Sequence, residues 1–112
     1  MIAVIFEVWP DANHRQDYFD IAATLKPELQ KIDGFISVER FSSLTEAGKV
    51  LSLSFWRDED SVKRWRTHLE HRAAQRVGRG GIFSNYRLRV ASVLRNYGMF
   101  EREQAPADAV RS

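Results

Sequence analysis

The chemically most versatile residues of this chain lie close together between Trp65 and Tyr86. This segment holds two of the three histidines, a tryptophan and several arginines, and its sequence predicts a helix with a glycine-rich exit. A neutral histidine can act as a base near pH 7, which makes His68 the best titratable candidate. We therefore expect any catalysis or ligand binding along this helix.

Helical spacing divides this segment into a buried stripe and a polar edge. At about 100° per residue, the stripe expected to face a sheet consists of Val62, Leu69, Ala73 and Val77. Along its edge lie Trp65, His68, Arg72 and Gln75. We interpret Trp65, His68 and Gln75 as candidate catalytic residues: His68 as base, Trp65 as pocket wall, and Gln75 or Arg72 as hydrogen-bond donor. The alternatives are core packing for Trp65 and a boundary histidine bonded to water or backbone for His68.

Other kinds of site are not indicated. His68 and His71 are three residues apart with Glu70 between them, but no third ligand is indicated, so we expect no metal. The glycines at 78, 80 and 81 follow a helix rather than a strand, which is typical of a helix end and not of a phosphate loop. The chain has no cysteine, and therefore neither disulfides nor thiolate nucleophiles.

Composition limits the class of protein. A chain of 112 residues with 44% hydrophobic residues predicts one domain. The net charge is only +2, and the arginines of the second helix alternate with acids, so we expect a solvated face and no nucleic-acid partner. No apolar run approaches the ~20 residues of a membrane helix, and no targeting segment is evident. These features favour a cytoplasmic protein without a membrane partner.

Hydrophobic patterns predict six elements. Strands are expected at 2–9, 35–42, 49–56 and 82–99, with helices between Asp11 or Asn13 and about 32, and from the acidic start at 57–61 to about Val77. Pro27 should kink or break the first helix, and Asp33-Gly34 should stop it. The order β-α-β-β-α-β predicts a ferredoxin-like α+β fold: a four-stranded antiparallel sheet with both helices on one face. A domain over 1–102 and a flexible tail over 103–112 are expected.

The first strand is apolar on both faces except at Glu7. A sheet that is apolar on both sides needs a second cover, and in a short chain this is most simply another copy, so we predict a homodimer through the sheet faces. The alternative is a monomer with Trp9 and Tyr97 half exposed at its edges. Glu7 is either a buried acid with a raised pKa or an acid at the dimer seam or surface, paired to an arginine such as Arg95.

The element order and several motifs resemble the antibiotic biosynthesis monooxygenase (ABM) family of dimeric α+β barrel proteins. The motifs are SLSFWRDEDSVKRW, EHRAAQRVGR and FSNYRLRVASVLRNYG, and the resemblance extends to about Arg102. It implies a pocket between sheet and helices, whose ligand-binding candidates here are Phe6, Phe55, Arg72, Phe83 and Tyr86. The family includes cofactor-free oxygenases of polycyclic phenols, quinol oxygenases and haem-degrading enzymes.

The haem-degrading pattern is only partly present. In those members an asparagine on the first strand, a tryptophan on the second helix and a histidine ten residues later form the site. Trp65 matches the tryptophan, but Gln75 stands at the histidine position and Phe6 or Glu7 at the asparagine position. We therefore expect no haem and no other cofactor.

The resemblance implies a cofactor-independent monooxygenase of an electron-rich aromatic small molecule, such as a phenol, a quinol or a polyketide-like compound. Such a reaction needs a base, an apolar pocket beside O2 and a donor for the developing peroxide anion. Two alternatives are a non-catalytic or cyclase-like small-molecule binder using the same pocket, and a module that binds nucleic acid or a partner through the helix arginines.

Overall fold

Four strands form one antiparallel sheet, and two helices connect them. The computed structural model describes residues 1–75 and 81–109, with side chains given for 1–71 and 81–109. The elements are β1 (Ile2–Pro10), α1 (Arg15–Leu29), β2 (Phe35–Ser42), β3 (Val50–Trp56), α2 (Glu59–Gln75) and β4 (Phe83–Ser92). The strand order is β2-β3-β1-β4. The predicted ferredoxin-like α+β fold is therefore confirmed.

Strand register defines two faces of this sheet, because directly paired residues of antiparallel strands point to the same side. The inner face, which the helices cover, includes the pair Phe6 and Ser52 and continues into Val8, which packs with Tyr18 of α1. The outer face includes the pair Ala3 and Phe55. The other residues of this face include Ile5, Glu7, Ser37, Glu39, Phe41, Leu51, Leu53, Arg87, Arg89 and Ala91. The outer face therefore mixes apolar side chains with charged ones, although the first strand alone indicated an apolar face.

The first helix begins and continues differently from the prediction. Its N-cap residue is His14, which makes no capping hydrogen bond with its side chain. The expected cap at Asp11 or Asn13 is wrong, because the Asp11 carboxylate accepts from the backbone N–H of Asn13 at 2.9 Å, before the helix begins. The helix also continues through Pro27 and ends two residues later. Because Pro27 lies in the last turn, its missing N–H affects only one hydrogen bond of the helix.

The last strand is shorter than predicted. It ends at Ser92, where the prediction extended it to Met99. The reason is that its partner β1 begins there: Ile2 pairs with Ser92, and the Val93 N–H donates to the Met1 carbonyl at 3.0 Å. Residues 93–109 contain no strand but make local contacts. The Asn96 N–H donates to Gln104 Oε1 at 2.8 Å, and the Arg102 guanidinium lies 5.2 Å from the centre of the Tyr97 ring.

The second helix is capped by a polar cluster at its first turn. Asp58 Oδ1 accepts from the Ser61 N–H at 2.8 Å and from the Ser61 hydroxyl at 2.6 Å, which satisfies one of the free donors of the helix end. Arg57 joins this turn to the end of the α1–β2 connection through a salt bridge to Asp33 at 3.0 Å. Ser61 is fully buried. The cluster therefore fixes how α2 leaves the sheet.

Stability should fall in acid because of this cluster. The Ser61 hydroxyl holds the pKa of Asp58 well below its usual 3.8, and the Arg57 guanidinium lowers that of Asp33. Lowered carboxyl pKa values stabilise the fold above the unfolded values, and this contribution is lost as pH falls below them. Thermal melts from about pH 6 to about pH 2.5 should show the midpoint falling, less steeply in Asp58→Asn than in wild type. Parallel curves would contradict the role of Asp58.

Candidate functional site

A cavity of about 990 Å³ lies between the helices and the inner face of the sheet. We call it the inner cavity; its size is that of a pocket for an organic ligand. Its aromatic wall consists of Phe6, Tyr18, Trp56, Trp65, Phe83 and Tyr86. Aliphatic side chains from both helices and from three strands complete most of the remaining surface. The cavity is therefore mainly apolar and can hold a planar ring.

Four aromatic rings form one end of the inner cavity. Phe6 of β1 lies 6.0 Å from Phe83 and 5.7 Å from Tyr86 of β4, measured between ring centres. Tyr18 of α1 meets Phe83 edge to face at 5.7 Å. Edge-to-face packing of this kind orients rings specifically. The predicted ligand-binding candidates Phe6, Phe83 and Tyr86 are thus brought together in the wall.

The polar part of the wall is cationic. Lys26 of α1, Arg40 of β2 and Arg66 of α2 all line the inner cavity, together with Ser52, Ser54 and Ser84. Among the described lining residues there is no aspartate or glutamate. The Ser54 hydroxyl accepts from the Trp56 indole N–H at 2.9 Å, so this serine is partly engaged within the protein. The cavity therefore favours an anionic ligand over a cationic one.

Arg40 was not anticipated by the sequence analysis. It lies opposite Ser52 in the β2–β3 register, and both residues line the inner cavity. Its Nε is buried and, in the described part of the chain, has no hydrogen-bond partner. In the sequence Arg40 is simply one charged residue of the second predicted strand, next to Glu39. Only the strand register shows that its side chain faces the helices.

His68 does not line the inner cavity. Its Nε2 lies 3.2 Å from Glu28 Oε1 on α1, and its ring stacks on Trp65 with the ring centres 5.5 Å apart. Trp65 itself does form part of the wall. The geometry therefore supports the expected position of Trp65 and does not place His68 where a base acting on a bound ligand would stand.

Three other candidates fall outside the described wall. Phe55 lies on the outer face, because it pairs with Ala3 and alternates with Ser54 and Trp56, so it cannot line this cavity. Arg72 and Gln75 belong to α2, but their side chains lie outside the described residues. The glycines at 78 and 80 also lie outside them.

Glu7 is an ionised acid on the outer face. It accepts from Lys49 at 2.5 Å and from Arg89, and these partners hold its pKa below the usual range. The alternative of a raised pKa is therefore wrong, and its partners are Lys49 and Arg89 rather than Arg95. The Lys49 ammonium also lies 5.1 Å from the centre of the Trp9 ring. Glu7 is thus part of a charged cluster away from the inner cavity.

Within residues 1–75 and 81–109, no three histidine or acidic side chains come together in a way that could hold a metal ion. In the same part of the chain, neither helix has the length and apolarity that crossing a membrane requires.

The sequence matches known proteins over most of its length. It is 52% identical over 93 residues to the jasmonate monooxygenase ABM of Pyricularia oryzae, which covers 83% of this chain. The chain spans 43% of that relative, so more than half of the relative has no counterpart here.

Solved structures share the fold at low identity. The cofactor-independent oxygenase SnoaB of Streptomyces nogalater superposes with a TM-score of 0.66 at 12% identity, over 85% of this chain and 94% of SnoaB. The heme-degrader MhuD of Mycobacterium tuberculosis, solved with two hemes in its active site, gives 0.66 at 12% identity, over 88% and 100% of the two chains.

A family model matches most of the chain. The model described as antibiotic biosynthesis monooxygenase matches residues 1–77, which include β1, α1, β2, β3 and all of α2. The 52% identity to a monooxygenase of that name agrees with this match. The chain therefore belongs to the antibiotic biosynthesis monooxygenase family.

Proposed function

We propose that this protein is a cofactor-independent monooxygenase that oxygenates an electron-rich aromatic molecule, such as a phenol or quinol, in the inner cavity. The observation that carries the proposal is the cavity itself: about 990 Å³, walled by aromatic rings, with three cations and no carboxylate among its described lining residues. Membership of the monooxygenase family and the shared fold of a cofactor-independent oxygenase support the reaction class.

The first step of the proposed reaction is ionisation of the bound phenol, which the cations of the cavity wall promote. A nearby positive charge favours the ionised form of an acid, so Lys26 and Arg66 lower the pKa of a bound phenol, whose proton passes to solvent water. The phenolate transfers electrons to O2, and a bond forms between a ring carbon and oxygen. The ring carbon then loses its proton, the O–O bond breaks and water leaves, so that a phenol and O2 give a quinone and water. The same cations stabilise the peroxide anion between these steps.

This mechanism needs no histidine in the cavity. The described wall contains neither histidine, cysteine nor methionine, and His68 is bonded to Glu28 instead. Among the residue types that ligate haem iron the described wall therefore offers only Tyr18 and Tyr86, and it lacks the histidine of the haem-degrading pattern. We therefore derive no step through haem.

Jasmonate is a second candidate substrate. It is suggested by the name of the relative that is 52% identical over 93 residues. Only 43% of that relative is matched, so its substrate comes to this chain as a hypothesis. It belongs in the first substrate panel beside the aromatic compounds.

Oxygen uptake tests the proposal directly. Purified protein, treated with a chelator and free of added cofactor, is expected to consume O2 with at least one member of a panel of naphthols, anthrols, hydroquinones and jasmonate. If the protein binds these compounds but consumes no oxygen, the monooxygenase proposal is contradicted, and the alternative of a small-molecule-binding or cyclase-like protein is favoured. Calorimetric titration of the same panel separates these two outcomes.

His68→Ala is expected to lower stability and leave activity nearly unchanged. The substitution removes the contact between α2 and Glu28 of α1 and the stacking on Trp65, while the inner cavity keeps its described wall. We expect a melting temperature lower by a few degrees, as for the loss of ~1 kcal/mol in a domain of this size, with kcat within about threefold of wild type. A loss of ~100-fold in kcat at full folding would restore His68 as base.

We further propose a homodimer formed by two outer faces. Ile5, Leu51, Leu53 and Phe55 form an apolar, half-buried part of this face beside its charged residues, and it is the face opposite the described helices. A second copy is the simplest cover for such a surface. Size-exclusion chromatography with light scattering should give twice the mass of the chain at micromolar concentration, and a stable monomer would refute the dimer.

A further inference from the structure

We propose that Arg40 binds a carboxylate of the substrate, so that the inner cavity selects aromatic organic acids over neutral compounds of the same shape. This inference rests on the proposed function, since it names the chemical class that the same cavity accepts. It assigns to Arg40 a role in specificity rather than in the transfer of oxygen.

The first support is the state of the three cations in the wall. Lys26, Arg40 and Arg66 come from three different elements, and none of them forms an ion pair with the side chains described for residues 1–71 and 81–109. Outside the cavity several described cations are paired, although not all of them are. Those with a carboxylate partner include Lys49, Arg57, Arg64 and Arg89. The positive charge of the cavity is thus left for a ligand to neutralise.

The second support is the Nε of Arg40. It is buried, and the described part of the chain supplies no acceptor for it. A buried donor without an acceptor is unfavourable, and such groups in native proteins are usually satisfied by a ligand or an ordered water. The planar guanidinium matches a carboxylate in a bidentate arrangement, which a point charge such as a lysine ammonium cannot reproduce.

The third support is the position of Arg40 on the floor of the cavity. It faces Ser52 across the β2–β3 register, and the Ser52 hydroxyl is a further donor at the same place. The aromatic rings Phe6, Phe83 and Tyr86 come from β1 and β4, which lie beyond β3 in the sheet order. The cavity therefore has a polar, cationic side and an aromatic side. This arrangement fits a ligand with one acidic end and one apolar body.

Calorimetric titration with a matched pair of probes tests the inference. The probes are 2-naphthoate and 2-naphthamide, which share size and shape but differ in charge, at neutral pH and low salt. Wild type is expected to bind the acid at least about tenfold more tightly than the amide, as for a charge-assisted pair that the neutral probe lacks. Arg40→Gln should abolish this preference and leave the amide affinity unchanged. Arg95→Gln, which removes an exposed arginine outside the cavity wall, should behave as wild type.

Each outcome decides a separate point. Equal affinity for acid and amide in wild type would overturn the inference without recourse to any variant, and so would an acid preference that Arg40→Gln leaves intact. A third probe, 2-naphthol, distinguishes a phenolate site: Arg40-dependent binding of the naphthol as tight as that of the acid would contradict a carboxylate anchor. If the protein prefers the acid but consumes no oxygen, the proposed monooxygenase activity is contradicted and the role of Arg40 in carboxylate binding is supported. If it consumes oxygen but shows no preference for the acid, the activity is supported and the role of Arg40 is contradicted.

Discussion

Replacing Gly34 by alanine is expected to lower the free energy of unfolding by about 3 kcal/mol and the melting temperature by more than about 10 °C. The backbone at Gly34 has φ of +92°, a conformation that L-residues rarely adopt. A Cβ built there would lie 1.8 Å from the Ser61 Oγ and 2.7 Å from the Ser61 Cβ. Ser61 cannot simply turn away, because its hydroxyl donates to Asp58 in the cap of α2.

Gly48→Ala is the matched control for this prediction. Gly48 has a similar φ of +83°, but a Cβ there meets nothing within 4 Å. Its cost should therefore be limited to backbone strain, about 1 kcal/mol. Chemical denaturation of both variants measures the difference. If Gly34→Ala lowers the free energy of unfolding by no more than Gly48→Ala does, the close contact between Gly34 and Ser61 does not contribute to the stability of the fold.

Filling the inner cavity should have the largest effect on activity. Ser52 lies on its floor at the middle of β3, between Phe6 on one side and Arg40 on the other. An indole at this position would occupy space that a substrate ring needs, and small displacements of a bound reactant already cost about 100-fold in rate. Ser52→Trp is therefore expected to reduce kcat/KM for oxygen uptake by at least about 100-fold, with a matching loss of ligand binding in calorimetry.

Ser37→Trp provides the control for this variant. Ser37 is exposed on β2 and pairs with Phe55, so the same substitution there enlarges the outer face and leaves the inner cavity open. We expect its kcat/KM to remain within about threefold of wild type. Circular dichroism and thermal melts establish that both variants fold. A folded Ser52→Trp with full activity would place the reaction outside the inner cavity.

The strands and their order were predictable from the sequence because local patterns determine them. The second strand has its predicted bounds, Phe35 and Ser42, since a hairpin turn and Gly34 delimit it on either side. The end of β4 was not predictable in the same way. Its apolar pattern continues to Val93 and Leu94, but a strand needs a partner, and β1 offers none beyond Ile2. Pairing between distant segments, and not local pattern, fixed that boundary.

The faces of β3 show why part of the site was misjudged. Alternation makes Leu51, Leu53 and Phe55 the apolar side of this strand, and an apolar side is normally placed against the helices. The register instead turns Ser52 and Ser54 toward the helices. Because the inner face surrounds a cavity rather than a close-packed core, it tolerates hydroxyl groups there. Phe55 was therefore assigned to the wrong side.

The roles of His68 and Arg40 depended on contacts that the sequence does not encode locally. Helical spacing correctly separated His68 from the buried stripe, but its partner Glu28 is 40 residues away on another helix. Arg40 carried no motif, and its significance comes only from being placed with Lys26 and Arg66 around one cavity. Trp65, by contrast, was placed by helical spacing alone and lines that cavity.

The distribution of the three tryptophans gives this protein two built-in optical reporters. Trp56 and Trp65 line the inner cavity, whereas Trp9 lies under the Lys49 ammonium in the charged cluster with Glu7. Quenching by a bound aromatic compound should therefore arise from the first two indoles, and a change in emission on self-association from the third. With Trp9→Phe and Trp65→Phe as spectral references, occupancy and association can be followed separately in one cuvette without any added dye.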